Sequence, residues 1–118
     1  MSDRSTRYFS NKQEKRVTQR HQPHGSSKVA NSGARPLDKG DVRFKHVLTE
    51  CKTLIKPQKS RSIKKEWLTQ VREEAFAVGK ELSVLVFDFG DGDDFYAVHP
   101  DDFISLYEAW VEVNKGVE

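Results

Sequence analysis

Apolar positions are thin at the start of the chain and dense toward its end. Residues 1–9 are polar, with Arg4 and Arg7, and read as a flexible basic arm; Tyr8 and Phe9 can staple onto the first helix. Ser10 stands three residues before Gln13, the spacing of a capping box, so a short helix is predicted from Asn11 to about Arg20. Val17 is its one apolar side chain. A helix that polar is poor core material, and its purpose is expected on its surface. Residues 21–40, rich in Gly, Ser, Pro and Asn, read as loop with a short strand near Lys28–Asn31. Asp41–Phe44 and His46–Ile55 then read as adjacent strands with a tight connection, ended by Pro57.

Ser60–Ser62 is expected to cap a helix from about Ile63 to Gly79. Its stripe is Leu68, Val71, Ala75 and Val78, flanked by Trp67 and Phe76. The unbroken run Ser83–Phe89 suits a strand covered on both faces. Turn residues 90–94 lead to an antiparallel return strand, Phe95–His99. Pro100, Asp101 and Asp102 suit the start of a final helix reaching Val113. Phe103, Leu106, Tyr107 and Trp110 lie on one side of it and read as core, with a dimer surface as the alternative for part of the stripe. The order helix, strands, helix, strands, helix predicts an α/β fold: a three-layer sandwich with a central mixed sheet flanked by helices, forming one domain over residues 10–118.

Composition narrows the functional classes. At 118 residues, 36% hydrophobic and 32% charged, the expectation is one small core under a polar surface, without room for a large cofactor enzyme or a separate base-reading domain. No apolar run is long enough to span a membrane, and the N-terminus lacks a signal-peptide pattern. The lone Cys51 excludes an internal disulfide and an all-cysteine metal cluster, and fits a reducing, cytoplasmic setting. Net charge is only +2, yet residues 1–65 carry 17 Lys and Arg against five acids (+12), and residues 66–118 carry three against thirteen (−10). Either the halves neutralise each other on folding, or the basic half meets a polyanion; its irregular loops favour nucleic acid.

The candidate chemistry lies in that basic half. Alternation along the second strand puts Glu50 and Lys52 on one face and Cys51 on the other. Asp41 lies on the preceding strand and can close on Glu50 if the two form a hairpin. Paired carboxylates make an oxygen site for a hard cation such as Mg²⁺. Lys52 beside them can orient or deprotonate a water or offset phosphoryl charge, and Glu14 on the polar helix is a third acid. Metal-assisted phosphodiester hydrolysis uses such a set. The plain alternative is a solvated edge-strand cluster, but charges inside the apolar run Val47, Leu48, Leu54, Ile55 are costly without a purpose. Lys56, Lys59, Arg61, Lys64 and Lys65 follow that strand directly and are candidate phosphate contacts.

The pattern Asp41…Glu50-Cys51-Lys52 resembles the PD-(D/E)XK nuclease motif, with Gly40 in the place of the proline. Glu14 resembles the helical acid of the Holliday-junction-resolvase branch, and Ser32-Gly33-Ala34 with Lys39-Gly40-Asp41-Val42 is similar to the loop before its first catalytic acid. The likeness spans roughly residues 10–108 and is nearest to small phage or prophage endonucleases. It implies a restriction-endonuclease-like fold and a Mg²⁺-dependent endodeoxyribonuclease, with Mn²⁺ able to substitute. Asp41, Glu50 and the Cys51 backbone carbonyl would bind metal, Glu14 would complete a second site, and Lys52 would position the water. Lys12, Arg16, Ser32, Gly33, Arg35 and Lys39 would join the basic run in holding DNA. Gln70 would support the site from the following helix. The resemblance implies a homodimer acting on branched DNA. Other nuclease roles (nicking, repair, packaging), an RNA-directed enzyme and a non-catalytic DNA-binding module are the alternatives.

Three further patterns have simpler readings. His21, His24 and His46 lack a zinc-ligand spacing. Cys51 reads as a small core residue. Asp91, Asp93 and Asp94 imitate a calcium loop without its closing glutamate, so a hairpin turn is expected.

Overall fold

The computed structural model describes residues 2–29 and 41–116, with side chains from Thr6 onward. Ser32, Gly33, Arg35 and Lys39 lie outside the described residues.

The first helix, α1, is Ser2–Arg20, and a one-turn helix at Gln22–His24 follows it. The strands are β1 Ser27–Lys28, β2 Val42–Phe44 and β3 Val47–Lys52; then come α2 Lys65–Ala77, β4 Leu82–Phe87, β5 Phe95–Ala97 and α3 Pro100–Val113. The five strands form one sheet in sequence order. Neighbours are antiparallel except β3 and β4, which run parallel through the α2 crossover.

Alternation along β3 divides the core. Val47 and Cys51 join Val17, Val42, Phe44, Val84 and Val86 beneath α1, while Leu48 packs with Val71 and Ala75 of α2 on the opposite face. The three-layer α/β sandwich with a mixed sheet is therefore the observed architecture. Each layer rests on few apolar side chains: Val17 is α1's whole contribution to its cluster.

Several boundaries differ from the sequence expectation. Helix α1 begins at Ser2, not Asn11, and Ser10 lies inside it. Gln13, which the spacing reads as a capping partner, is buried and donates through Nε2 to the Lys52 carbonyl (3.0 Å). Helix α2 starts at Lys65; its cap position is Lys64, without a side-chain cap, so Ser60–Ser62 stay in the preceding loop. Strand β1 is shorter and earlier than expected. Strand β4 ends at Phe87, because Asp88 leaves the ladder to meet Thr53 and Arg16. Phe76 is 87% exposed instead of flanking the core. The α3 stripe read as core is also open: Phe103, Leu106, Tyr107 and Trp110 are all exposed.

Turn chemistry fixes the loop that follows β3. Gly90 has φ +85° and lies against the Lys56 carbonyl and Pro57, so a Cβ there would collide with backbone. The Gln58 N–H donates to the Phe89 carbonyl (2.8 Å), docking residues 56–58 on the turn after β4. The hairpin turn expected at residues 90–94 is present, closed by the Asp93 N–H on the Asp91 side chain (3.1 Å).

Candidate active site

The register of two strands brings the acids together. Val42 pairs with Thr49, and the Asp41 N–H donates to the Thr49 carbonyl (2.8 Å). Asp41 thus stands beside the C-terminal end of β3, and its Oδ2 accepts the Cys51 N–H at 2.7 Å. A strand residue's N–H and C=O point to the same side, so the Cys51 carbonyl also faces the edge where Asp41 sits. The Cys51 side chain points the other way into the core, and burial pushes its thiol well above the ordinary range. It is core, as expected.

Glu50 and Lys52 share the α2 face. Lys52 Nζ lies 3.1 Å from Glu50 Oε2 and 4.9 Å from the centre of the Trp67 ring. Arg61 and Lys64 also stand over Trp67, at 5.8 and 5.9 Å, so the ring gathers three cations beside the acids. Burial, and then the charge of Asp41, raise the Glu50 carboxyl to about 7, against the opposing pull of Lys52.

Glu14 approaches from α1, on the other face. It pairs with Lys28 (3.3 Å), and burial followed by the Asp41 charge raises its carboxyl. Asp41 is therefore the electrostatic link between two acids that reach the sheet edge from opposite faces. Among the described residues, no three His, Cys, Asp or Glu side chains lie close enough to hold one ion as they stand. The donor set still suits a hard cation: carboxylate oxygens and a carbonyl, with two carboxyls raised by burial and mutual repulsion, which a divalent charge would relieve.

The DNA-contact expectations divide. Arg16 is bound internally, with Nη2 to Asp94 (2.7 Å) and Asp88 (3.1 Å) and Nε to Asp94 (2.9 Å). Asp88 and Asp94 are almost fully enclosed, so Arg16 neutralises buried acids instead of offering itself to phosphate. Arg61 spends Nη1 on the Asp88 and Lys52 carbonyls (2.6 and 3.3 Å). It braces the loop through that nitrogen. Lys12, Lys56, Lys59 and Lys64 are exposed. Gln70 donates to the half-buried Glu74 (2.9 Å), whose charge adds to the rise at Glu50.

Sequence reasoning missed four participants. Lys28 pairs with Glu14. Trp67 gathers the cations. Asp88 and Asp94 tie α1 to the ends of β3 and β4: Thr53 donates to Asp88 (2.8 Å), and Arg20 joins Asp94 (2.8 Å). Asp88 had a signal, a carboxylate inside an apolar run. Asp94 had none, because its turn neighbours mask it. The imidazoles of His21 and His24 meet at 2.9 Å, while His46 pairs separately with Glu81. A cleft of about 430 Å³ lies at the far end of α2, bordered by Arg72, Phe76, Lys80 and Asp102. No protein-family model matches the chain, and neither a curated protein nor a solved structure does.

Proposed function

We propose that this protein is a Mg²⁺-dependent endodeoxyribonuclease acting through Asp41, Glu50 and Lys52, with branched DNA as substrate. The observation that carries the reading is the meeting of Asp41 with the end of β3, beside a half-buried Glu50 held near neutrality and paired to Lys52. Two half-buried acids next to an ammonium are poor structural design and useful chemistry. The resemblance to PD-(D/E)XK nucleases assigns the same residues.

A divalent ion at this edge would supply charge to the scissile phosphate and acidify a bound water. Asp41, Glu50 and the Cys51 carbonyl are the ligands on this reading, and Glu14 serves from the α1 face. Asp41 is pre-oriented by the Cys51 N–H. Lys52 turns its ammonium from Glu50 toward the attacking water, with Trp67 holding it above the strand. Lys56, Lys59 and Lys64 meet the DNA backbone on the same side. Such an enzyme works in the reducing cytoplasm, where the Cys51 thiol persists.

The test is cleavage of a labelled four-way junction and a linear duplex of matched sequence, with Mg²⁺ or Mn²⁺. Paired nicks near the branch point, lost in Glu50→Gln, are expected. Equal cutting of both substrates would remove the junction preference. Retained binding with no cutting of either would replace the enzyme by a DNA-binding module.

A further inference from the structure

Strand β5 is an edge strand of the sheet, and aromatic rings gather beside it. Phe95 pairs in register with Phe87 of β4, and Phe87 with Lys52 of β3. Register partners share a face, so Lys52, Phe87 and Phe95 form one row across three strands on the α2 face. Tyr96 takes the opposite face, where its hydroxyl meets Arg20 and His21. Phe89 completes the group: its ring stands 6.0 Å from both Phe87 and Phe95, inclined to them by 70° and 81°. Phe87 and Phe95 are likewise 6.0 Å apart. These edge contacts hold the rings in place. Phe87 and Phe89 are half-buried, but Phe95 is 49% exposed.

We propose, resting on the nuclease reading, that this aromatic row is a stacking platform for unpaired bases, so that the DNA taken at Lys52 carries a single-stranded arm at its branch point. Charge and geometry favour a nucleotide over a protein as the occupant. Sites for single strands combine open aromatic faces with a cationic track. Here Lys52, Arg61 and Lys64 gather around Trp67. The Gln58 N–H on the Phe89 carbonyl (2.8 Å) pins beside the rings the loop that carries the exposed Lys56 and Lys59. Phe95 lies two strand spacings from Lys52, about 10 Å, so a base on Phe95 belongs to a nucleotide near the one whose phosphate meets Lys52. Asp91 and Asp93 on the adjoining turn are exposed. They repel phosphate, so the backbone stays on the lysine side and only a base reaches across to the rings. A base inside a duplex is stacked and paired and presents no free face, which makes an unpaired arm the matching chemistry.

The probe is a forked duplex with 2-aminopurine at its first two unpaired positions, bound without divalent metal so that it stays uncut. Stacking is expected to quench its fluorescence on wild type and on Phe95→Trp, and not on Phe95→Ala or Phe95→Leu; leucine keeps an apolar side chain and loses only the π-face. Phe95→Ala is expected to weaken fork binding about tenfold. Abasic sites in place of the two bases should weaken wild type equally, with no further loss in Phe95→Ala. The salt slope should be the same for wild type and Phe95→Ala, because stacking releases no counterion. A Phe95→Ala protein that binds and quenches like wild type would overturn the platform and leave the nuclease reading standing. So would a wild type that binds the abasic fork as tightly as the intact one. Quenching that depends on Phe95, in a protein that cuts no DNA, would keep the platform and remove the nuclease. A wild-type chain that binds neither fork nor duplex would overturn both and leave the rings to a protein partner.

Discussion

Glu50 is kept where a carboxylate is uncomfortable, and this has a measurable sign. Its folded value of about 7 lies above the ordinary 4.5, so between those values the folded chain holds a proton that the unfolded chain releases. Stability from this residue is therefore present below about pH 4.5 and is lost as pH rises through 7. The full loss is on the order of 3 kcal/mol. Glu50→Gln removes the titration, so it is expected to be more stable than wild type at pH 8. The advantage should shrink toward pH 5, and paired thermal melts at the two pH values would measure it. An unchanged difference would mean that Glu50 does not titrate in this range. Arg16 shows the opposite balance. Burial acts to raise Asp94, and hydrogen bonds from Arg16 and Arg20 outweigh it and leave the carboxyl below its ordinary value. Arg16→Met would leave the buried Asp88 without its ion pair and Asp94 with Arg20 alone, at a cost of about 3 kcal/mol. Urea denaturation is expected to show that loss, and loss of DNA affinity alone would return Arg16 to the phosphate contacts.

Among the elements, β2 and β3 set the site and the turn after β4 supports it. The strand pair was readable because alternation across Glu50-Cys51-Lys52 separates one buried side chain from two charged ones on the other face. The hairpin then fixes where Asp41 must stand. Helix α3 was readable from Pro100 and the two following acids. Helix α1 was readable only from Asn11 to Arg20; its extension back to Ser2 follows a polar stretch in which no apolar periodicity reports a helix. The start of α2 was not readable: there the Ser60–Ser62 signal gives way to a loop braced by Arg61 on Asp88. That loop depends on Gly90, whose missing side chain makes room for the Lys56 carbonyl. Gly90→Ala combines backbone collision with a left-handed φ and is expected to cost more than about 2 kcal/mol. The melting temperature should fall by roughly 10 °C. A drop of only a degree or two would show that the loop moves aside cheaply.

For the whole molecule, the charge separation seen along the chain survives folding only in part. The −10 half spends acids internally: Asp88 and Asp94 take Arg16 and Arg20, and Asp101 and Asp102 take the Arg72 of their own half. Among the described residues of the basic half, Arg16, Arg20 and Arg61 are committed to internal partners, while Lys12, Lys56, Lys59 and Lys64 are open. This predicts which residues a polyanion meets. Each phosphate neutralised contributes about −0.9 to the slope of log affinity against log salt on duplex DNA. Replacing Lys56, Lys59 and Lys64 together with Ala is expected to make that slope shallower by about 2 to 3. Arg61→Ala alone should leave the slope nearly unchanged while lowering thermal stability, because its guanidinium holds carbonyls. Fluorescence anisotropy across a salt series separates the two variants. If Arg61→Ala flattened the slope as much as the triple replacement, the loop arginine would face the DNA. The internal bonds that now define its role would then have to break on binding.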